Sequence, residues 1–339
     1  MFKTTRAILA AAAILGMLAV TAQADPVKIR IGWIAMPGSR AGYLTEKMDL
    51  MHHWGKSYTV EAIHFSSTPA ELTALASDQL DIAQLAFSSF GAAVENAHMS
   101  DLRLIADELE DGAPGYATTR FMVLKDSPIH KIEDLKGKVV ATNGIGSGLD
   151  IALRYILRQH GLEEKRDYND VEINFPNMKS ALGEHKVDLV SAVLPFMYDP
   201  ELVKIGRTLF EQGAEIGPAE LLMWASRTGY IAKHHAALVD LMEDVLRMQR
   251  WYFDPANHAE AVAIVAKITK RPPQTLDWVF TKRDFYRNPN GRPDLAAVAK
   301  NLQMEQDLGY LKTTIDVKKY ADMSIVDAAS KRLGVLKKE

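Results

Sequence analysis

A short pattern occurs twice in the chain: Ala74-Leu75-Ala76-Ser77-Asp78-Gln79-Leu80-Asp81-Ile82 returns as Ala181-Leu182-Gly183-Glu184-His185-Lys186-Val187-Asp188-Leu189. Each copy follows a strand-like run, Val60 to Phe65 or Val171 to Phe175, and each ends in an aspartate that opens a second apolar run. Strand, helical segment, aspartate, strand is the order of a parallel α/β unit. Two copies predict two similar α/β lobes; chance recurrence of short apolar strings is the competing explanation.

The first residues bear on the compartment. Lys3 and Arg6 give a basic start, Ala7 to Val20 are apolar, and Thr21-Ala22-Gln23-Ala24 closes the run with small residues in A-x-A spacing. Residues 1–24 therefore read as a signal peptide cleaved before Asp25. The apolar run falls short of the ~20 residues that cross a bilayer. No cysteine follows it, so a cleaved N-terminus offers no acceptor for lipid. The expected location is the periplasm.

The 339 residues are 47% hydrophobic and 24% charged, an ordinary balance for a folded protein. The net charge is −3, and loss of Lys3 and Arg6 with the leader makes it two units more negative, which disfavours nucleic acid as a partner. The chain has no cysteine, which excludes disulfides, thiol nucleophiles and Cys-ligated metals. The pairs His52-His53 and His234-His235 put neighbouring side chains on different faces, so no metal site is expected.

Two strand-to-helix junctions are candidate anion seats. Ser67 and Thr68-Pro69-Ala70-Glu71 read as a capping box around Thr68. Thr142-Asn143-Gly144-Ile145-Gly146-Ser147-Gly148 leads from Val139-Val140-Ala141 into a helical stretch from Leu149 to His160. Free N–H groups and the helix dipole at such turns suit a carboxylate, sulfonate or phosphate. The glycines miss the G-x-G-x-x-G spacing of a dinucleotide site. The P-loop, zinc-protease and serine-hydrolase strings are absent from the sequence.

Leu124-Lys125-Asp126-Ser127, then Ile132-Glu133-Asp134-Leu135-Lys136-Gly137-Lys138-Val139-Val140-Ala141, together with Leu80-Asp81-Ile82-Ala83, Val187-Asp188-Leu189, Gln306-Asp307-Leu308-Gly309-Tyr310-Leu311 and Ile315-Asp316-Val317, carry a resemblance. The chain resembles the sulfonate, taurine and nitrate type of substrate-binding proteins of ABC importers, which share their fold with binders of thiamine-pyrimidine precursors. The resemblance implies a two-lobed periplasmic-binding-protein fold of type II, each lobe a mixed, mostly parallel sheet flanked by helices, with a two-stranded hinge. It implies crossings near Tyr116 to Arg120 and Leu222 to Arg227, one lobe from 25–117 plus 226–339, and the other from 118–225. A small-molecule ligand, an inner-membrane permease and its ATPase are the implied partners of a monomer without cofactor.

The repeat and the resemblance together nominate a ligand site. The loop after the first strand offers Trp33, Met36, Pro37 and Ser39; the two repeated strand ends offer Phe87, Ser88 and Ser89, and Leu194, Pro195 and Phe196. The junctions add Ser67, Thr68, Asn143, Gly146 and Ser147, and Trp224 adds a flat ring. Arg40, Arg120 and Arg227 lie near the first loop or the hinge and are candidate carboxylate forks. Many relatives carry Trp-Asp-Pro near the place of Leu194-Pro195-Phe196, a departure that counts against the familiar substrate, a sulfonate such as taurine. The expected ligand is a small organic anion of the sulfonate or carboxylate class. An aromatic or pyrimidine-like compound, or a sensor role for the same clamp, is the alternative. Enzymes of related architecture, a thiamine-pyrimidine synthase and porphobilinogen-joining enzymes, use cysteine or cofactor chemistry, so no catalytic residue is expected here.

Overall fold

The computed structural model describes residues 25–337; the expected signal peptide lies outside them. In chain order the strands are β1 (Val27–Trp33), β2 (Tyr58–His64), β3 (Ala83–Leu85), β4 (Leu102–Asp111), β5 (Arg120–Leu124), β6 (Lys138–Thr142), β7 (Tyr168–Glu172), β8 (Leu189–Ala192), β9 (Gly206–Glu211) and β10 (Ala219–Arg227). The helices are α1 (Thr68–Ala76), α2 (Phe87–Glu95), α3 (Gly148–Gln159), α4 (Phe175–Gly183), α5 (Pro200–Ile205), α6 (Gln212–Ile216), α7 (Thr228–Tyr252), α8 (His258–Thr269), α9 (Leu295–Asp307) and α10 (Ser324–Leu333). Among the described residues no helix is long and apolar enough to cross a membrane.

The strands form two arrays of the same plan. In one, β6 pairs in parallel with β7 and β8, then β5 runs antiparallel to β8 and β9, giving the order β7-β6-β8-β5-β9. In the other, β1 pairs in parallel with β2 and reaches β3 through a parallel bridge between Ile31 and Ile82. There β10 runs antiparallel between β3 and β4. The order β2-β1-β3-β10-β4 thus matches the other lobe strand for strand.

The repeated aspartates explain why the pattern recurs. Asp81 accepts a hydrogen bond from the Arg30 N–H at 2.8 Å while its own N–H donates to the Arg30 carbonyl at 3.0 Å. Asp188 does the same with Val139, at 2.9 and 2.8 Å. Each aspartate ties the start of a central strand to its parallel neighbour, where the ladder alone leaves an unpaired donor. Asp78 and His185, three residues earlier in each copy, both adopt left-handed φ, 56° and 55°, which turns the chain from helix into strand.

Three local expectations are corrected. The run Val171 to Phe175 is not one strand: β7 ends at Glu172, and Phe175 with Pro176 opens α4, because proline at the second helical position favours a helix start. Thr68 is the first helical residue of α1 and Ser67 the cap, and no capping box forms. The Glu71 carboxylate turns inward to accept the Gln84 N–H at 2.6 Å, and burial pushes its pKa well above the ordinary value. The second passage between the arrays comes earlier than expected, at 212–218, since 222–227 already pair within β10.

Both passages press together. Gln212 donates its N–H to the Thr119 carbonyl at 2.9 Å and its side-chain amide to Asp111 at 2.7 Å. A Cβ on Gly112 would lie 2.8 Å from the Gly213 Cα, so two glycines are what lets the crossings touch. Helix α7 packs on α10 and β2, burying Met242, Val245 and Leu246 as its helical spacing predicts.

Candidate functional site

The two arrays meet over one cavity. It encloses roughly 530 Å³, part of it open to solvent, and its walls come from both lobes. From the first lobe come Ile34, Ala35, Gly38, Ser39, Thr68, Ala86, Leu109, Leu221, Leu222 and Phe285; from the second, Asn143, Ser147, Gly148, Leu149, Phe175, Val193 and Leu194. Most of that wall is apolar, with the hydroxyls of Ser39, Thr68 and Ser147 and the Asn143 amide as its polar side chains. Among the described residues no charged side chain is part of it.

The repeat places two pairs of these residues. Thr68 and Phe175 each open the helix before a repeated aspartate, and Ala86 and Val193 each follow the short strand after it. All four line the cavity, so the same two steps of the fold reach the ligand space from each side. At the first step the side chains differ, a hydroxyl in one lobe and a phenyl ring in the other.

The cleft is shut. Ser88 donates a hydrogen bond to the Gly146 carbonyl at 2.8 Å, and the Asn143 amide donates to the Ser66 carbonyl at 3.2 Å. Glycines make the approach feasible. A Cβ on Gly148 would stand 3.0 Å from the Ala86 Cβ and 3.3 Å from Leu221, and one on Gly144 would stand 2.8 Å from the Ser67 Cβ.

The polar groups of the two candidate anion seats are mostly spoken for. The Gly146 N–H donates to Asp150 at 2.6 Å and the Ile145 N–H points to Glu172 at 3.3 Å. Ser147 caps α3 by accepting the Asp150 N–H. The first-turn N–H groups of Gly148 and Leu149 have no carbonyl one turn back to bond. Both residues line the cavity, at the positive end of the α3 dipole. Gly146 itself has φ +78° and open space where a Cβ would be, so its glycine serves the turn rather than close approach.

Of the residues nominated from sequence, Ser39, Thr68, Asn143, Ser147 and Leu194 line the cavity. The Ser39 hydroxyl donates to Gln84 at 2.8 Å and accepts the Ile34 N–H, and Thr68 accepts from Ser89 at 2.8 Å. Ser67, Ser88 and Gly146 bring the lobes together at the rim. Trp33 packs on His64, Met36 on Gly42, and Pro37 is buried beside Arg287, none of them in the wall. Phe87 is fully buried core, Pro195 precedes a short 3-10 turn, and Phe196 stacks on Phe175 from behind.

Trp224 and the three arginines are elsewhere. Trp224 is wholly buried in β10 with the Arg40 guanidinium over its ring at 5.4 Å. Arg40 is itself wholly buried, bound to Glu108 at 3.0 Å and Gln249 at 2.7 Å, so it serves the first lobe's interior. Arg120 pairs with Glu211, and Arg227 with Asp101 and Asp78. Each already has carboxylate partners, which is the physical reason none reaches the cavity. His53, which adjacency had set aside, does meet acids, lying 3.8 Å from Asp240 and 3.4 Å from Glu243, but Arg332 occupies both carboxylates.

Sequence reasoning missed Ala86, Gly148, Leu149, Phe175 and Val193, although the repeat pointed to Phe175 from Thr68. Phe285 comes from an irregular stretch with no periodic signal.

Comparison with solved structures places the fold. The chain is similar to the periplasmic aliphatic sulphonate binding protein SsuA from Escherichia coli, with TM-score 0.67 and 21% identity over 87% of this chain and 97% of that one. It is similar to the periplasmic nitrate-binding protein NrtA from Synechocystis PCC 6803, with TM-score 0.71 and 14% identity over 92% and 90%. It also resembles the desulfurization enzyme DSZB, with TM-score 0.64 and 13% identity over 91% and 99%. These likenesses establish the periplasmic-binding-protein fold, which hosts both binders and an enzyme. A search of curated protein sequences found no match. The family follows from a separate comparison over most of the chain: with residues 22–266 matching its model, this protein belongs to the NMT1-like family.

Proposed function

We propose that this protein is the solute-binding component of an ABC importer, capturing a small organic anion with an apolar body between its lobes and handing it to a membrane permease and its ATPase. The observation that carries this reading is the shut apolar cavity with Gly148 and Leu149, the first helical residues of α3, in its wall. The acid group of a carboxylate or sulfonate accepts the Gly148 and Leu149 N–H groups and the Thr68 or Ser147 hydroxyl, and its hydrocarbon body lies against Phe175, Leu194 and Leu221. Ligand held by one lobe completes its contacts only when the other arrives, so binding raises the closed population.

The reading includes a monomer that works in the periplasm after cleavage before Asp25, with lobes of roughly 25–117 plus the region from β10 onward, and 118 to about 218. It includes no catalytic step: among the described residues the wall holds no titratable side chain to act as acid or base. A flat uncharged ring, such as a pyrimidine, is the second reading, supported by Phe175 and Phe285 in the wall and by the lack of a cation there among the described residues.

Native mass spectrometry of protein purified from the periplasm, with identification of what it carries, tests the proposal. A small acid of apolar body supports it, an uncharged heterocycle favours the second reading, and protein of full length in the membrane fraction removes the processing step.

A further inference from the structure

Behind Phe175 lies a second cavity, of roughly 460 Å³ including its open mouth. Its apolar floor is built by Phe175, Pro176, Met178 and Phe196, and Lys179, Asp199 and Arg271 stand among its lining. Phe175 is the residue common to the two linings. Its ring lies on that of Phe196, centroids 5.6 Å apart and planes 18° apart. The Phe175 side chain, which borders both spaces, is apolar and has no hydrogen bond to hold it in place.

Arg271 is the unusual member of this second lining. Its guanidinium sits over the Phe196 ring at 5.6 Å and 4.0 Å from an Asp199 oxygen, and Lys179 is 3.8 Å from that same oxygen. Both separations exceed hydrogen-bond length. The other Asp199 oxygen is engaged with the Glu201 and Leu202 N–H groups at the start of α5, and Lys179 also pairs with Glu201. Among the described residues the Arg271 fork thus bonds no carboxylate at hydrogen-bond distance. A planar fork beside an apolar floor is suited to a carboxylate on an apolar chain.

We infer that the second cavity is a further compartment of the ligand site, and that the ligand is an elongated acid with a carboxylate at each end. One end meets the first turn of α3, the chain passes Phe175, and the far carboxylate pairs with the Arg271 fork. The inference rests on the anion-holding reading of the central cavity. It also ties recognition to closure. Arg271 follows α8, which is bound to the first lobe through Lys47–Glu260 and Lys267–Glu46, whereas Phe196 and Asp199 belong to the second. A far carboxylate held by Arg271 therefore bridges the lobes at a second place.

The test is calorimetric titration of the mature protein with a homologous series of linear α,ω-dicarboxylates and the monocarboxylates of matching length. At the length that spans both compartments the diacid should bind about tenfold tighter or more, as a charge-assisted pair contributes. Arg271→Gln should remove that gain and leave the monoacid affinity unchanged, and Arg271→Lys should restore part of it. Equal binding of diacid and monoacid at every length, or a gain that survives in Arg271→Gln, overturns the inference while the central anion site stands. Failure of both series, and of alkanesulfonates of matching length, to bind overturns the anion reading itself.

Discussion

The Ser88 hydroxyl of one lobe donates to the Gly146 carbonyl of the other at 2.8 Å, although neither residue lines the cavity. On the proposed closing motion, the bond is made only when the cleft is shut. Its worth therefore enters the affinity for a ligand the pair never touches.

Ser88→Ala should weaken binding by about 0.5–1.5 kcal/mol, the net value of one hydrogen bond, or roughly two- to tenfold in Kd. Small-angle scattering of the unliganded variant should report a larger open fraction than the parent. Unchanged affinity in titration calorimetry would mean that the bond forms equally in the open state.

The aspartates of the repeat predict the opposite separation. Asp81 and Asp188 hold strands together outside the lining of the cavity, so Asp81→Ala and Asp188→Ala should lower stability by about 1.5–3 kcal/mol each and leave Kd alone. Asp81 should cost more, because it also takes two bonds from the Arg30 guanidinium, at 3.0 and 2.7 Å, where Asp188 has Lys138 only at 3.6 Å. Denaturant midpoints of the two variants check the order.

These aspartates also mark what could be read from the sequence. Their recurrence exposed two equivalent α/β units, because a side chain that completes a strand ladder is demanded wherever that unit is built. The cavity was less legible. Ser39, Thr68, Asn143, Ser147 and Leu194 were found from strand ends and helix starts, where ladders and helices leave free groups. The arginines misled, since charge invites an ion-pair reading, and only the folded chain reveals that Glu108, Glu211 and Asp101 already hold them. Gly148 was passed over for Gly146 because both stand in one glycine-rich turn, and close approach between distant segments leaves no periodic trace.

Glu305 predicts a pH dependence. Burial, with the neighbouring Glu95 charge adding to it, pushes its pKa from 4.5 to about 8. Between those values the folded protein binds more protons than the unfolded chain, so stability is full below pH 4.5 and declines as pH rises towards 8. Glu305→Gln removes the ionisation. Its melting temperature should exceed the parent's at pH 8 by several degrees, at about 1.5 °C per kcal/mol for a chain of this size, and match it near pH 4.5. A difference independent of pH would assign the effect to packing.

Gly146 and Gly148 separate turn chemistry from ligand contact. Gly146 has positive φ with room for a side chain, so Gly146→Ala should cost about 1 kcal/mol of stability through backbone strain. It should spare the affinity, because the N–H there already serves Asp150. Gly148 has no positive φ, but an added side chain meets Ala86, Leu221 and Phe87 of the facing lobe at 3.0–3.4 Å. Gly148→Val should therefore leave the unliganded melting temperature near the parent's, because an open cleft has room for the branched side chain. The same variant should lose at least about tenfold in affinity, since closure is blocked and the first turn of α3 is held back from the acid group. Melting curves with and without ligand measure both quantities together, and a ligand-induced shift that Gly148→Val retains while Gly146→Ala loses it would return the anion seat to the glycine turn.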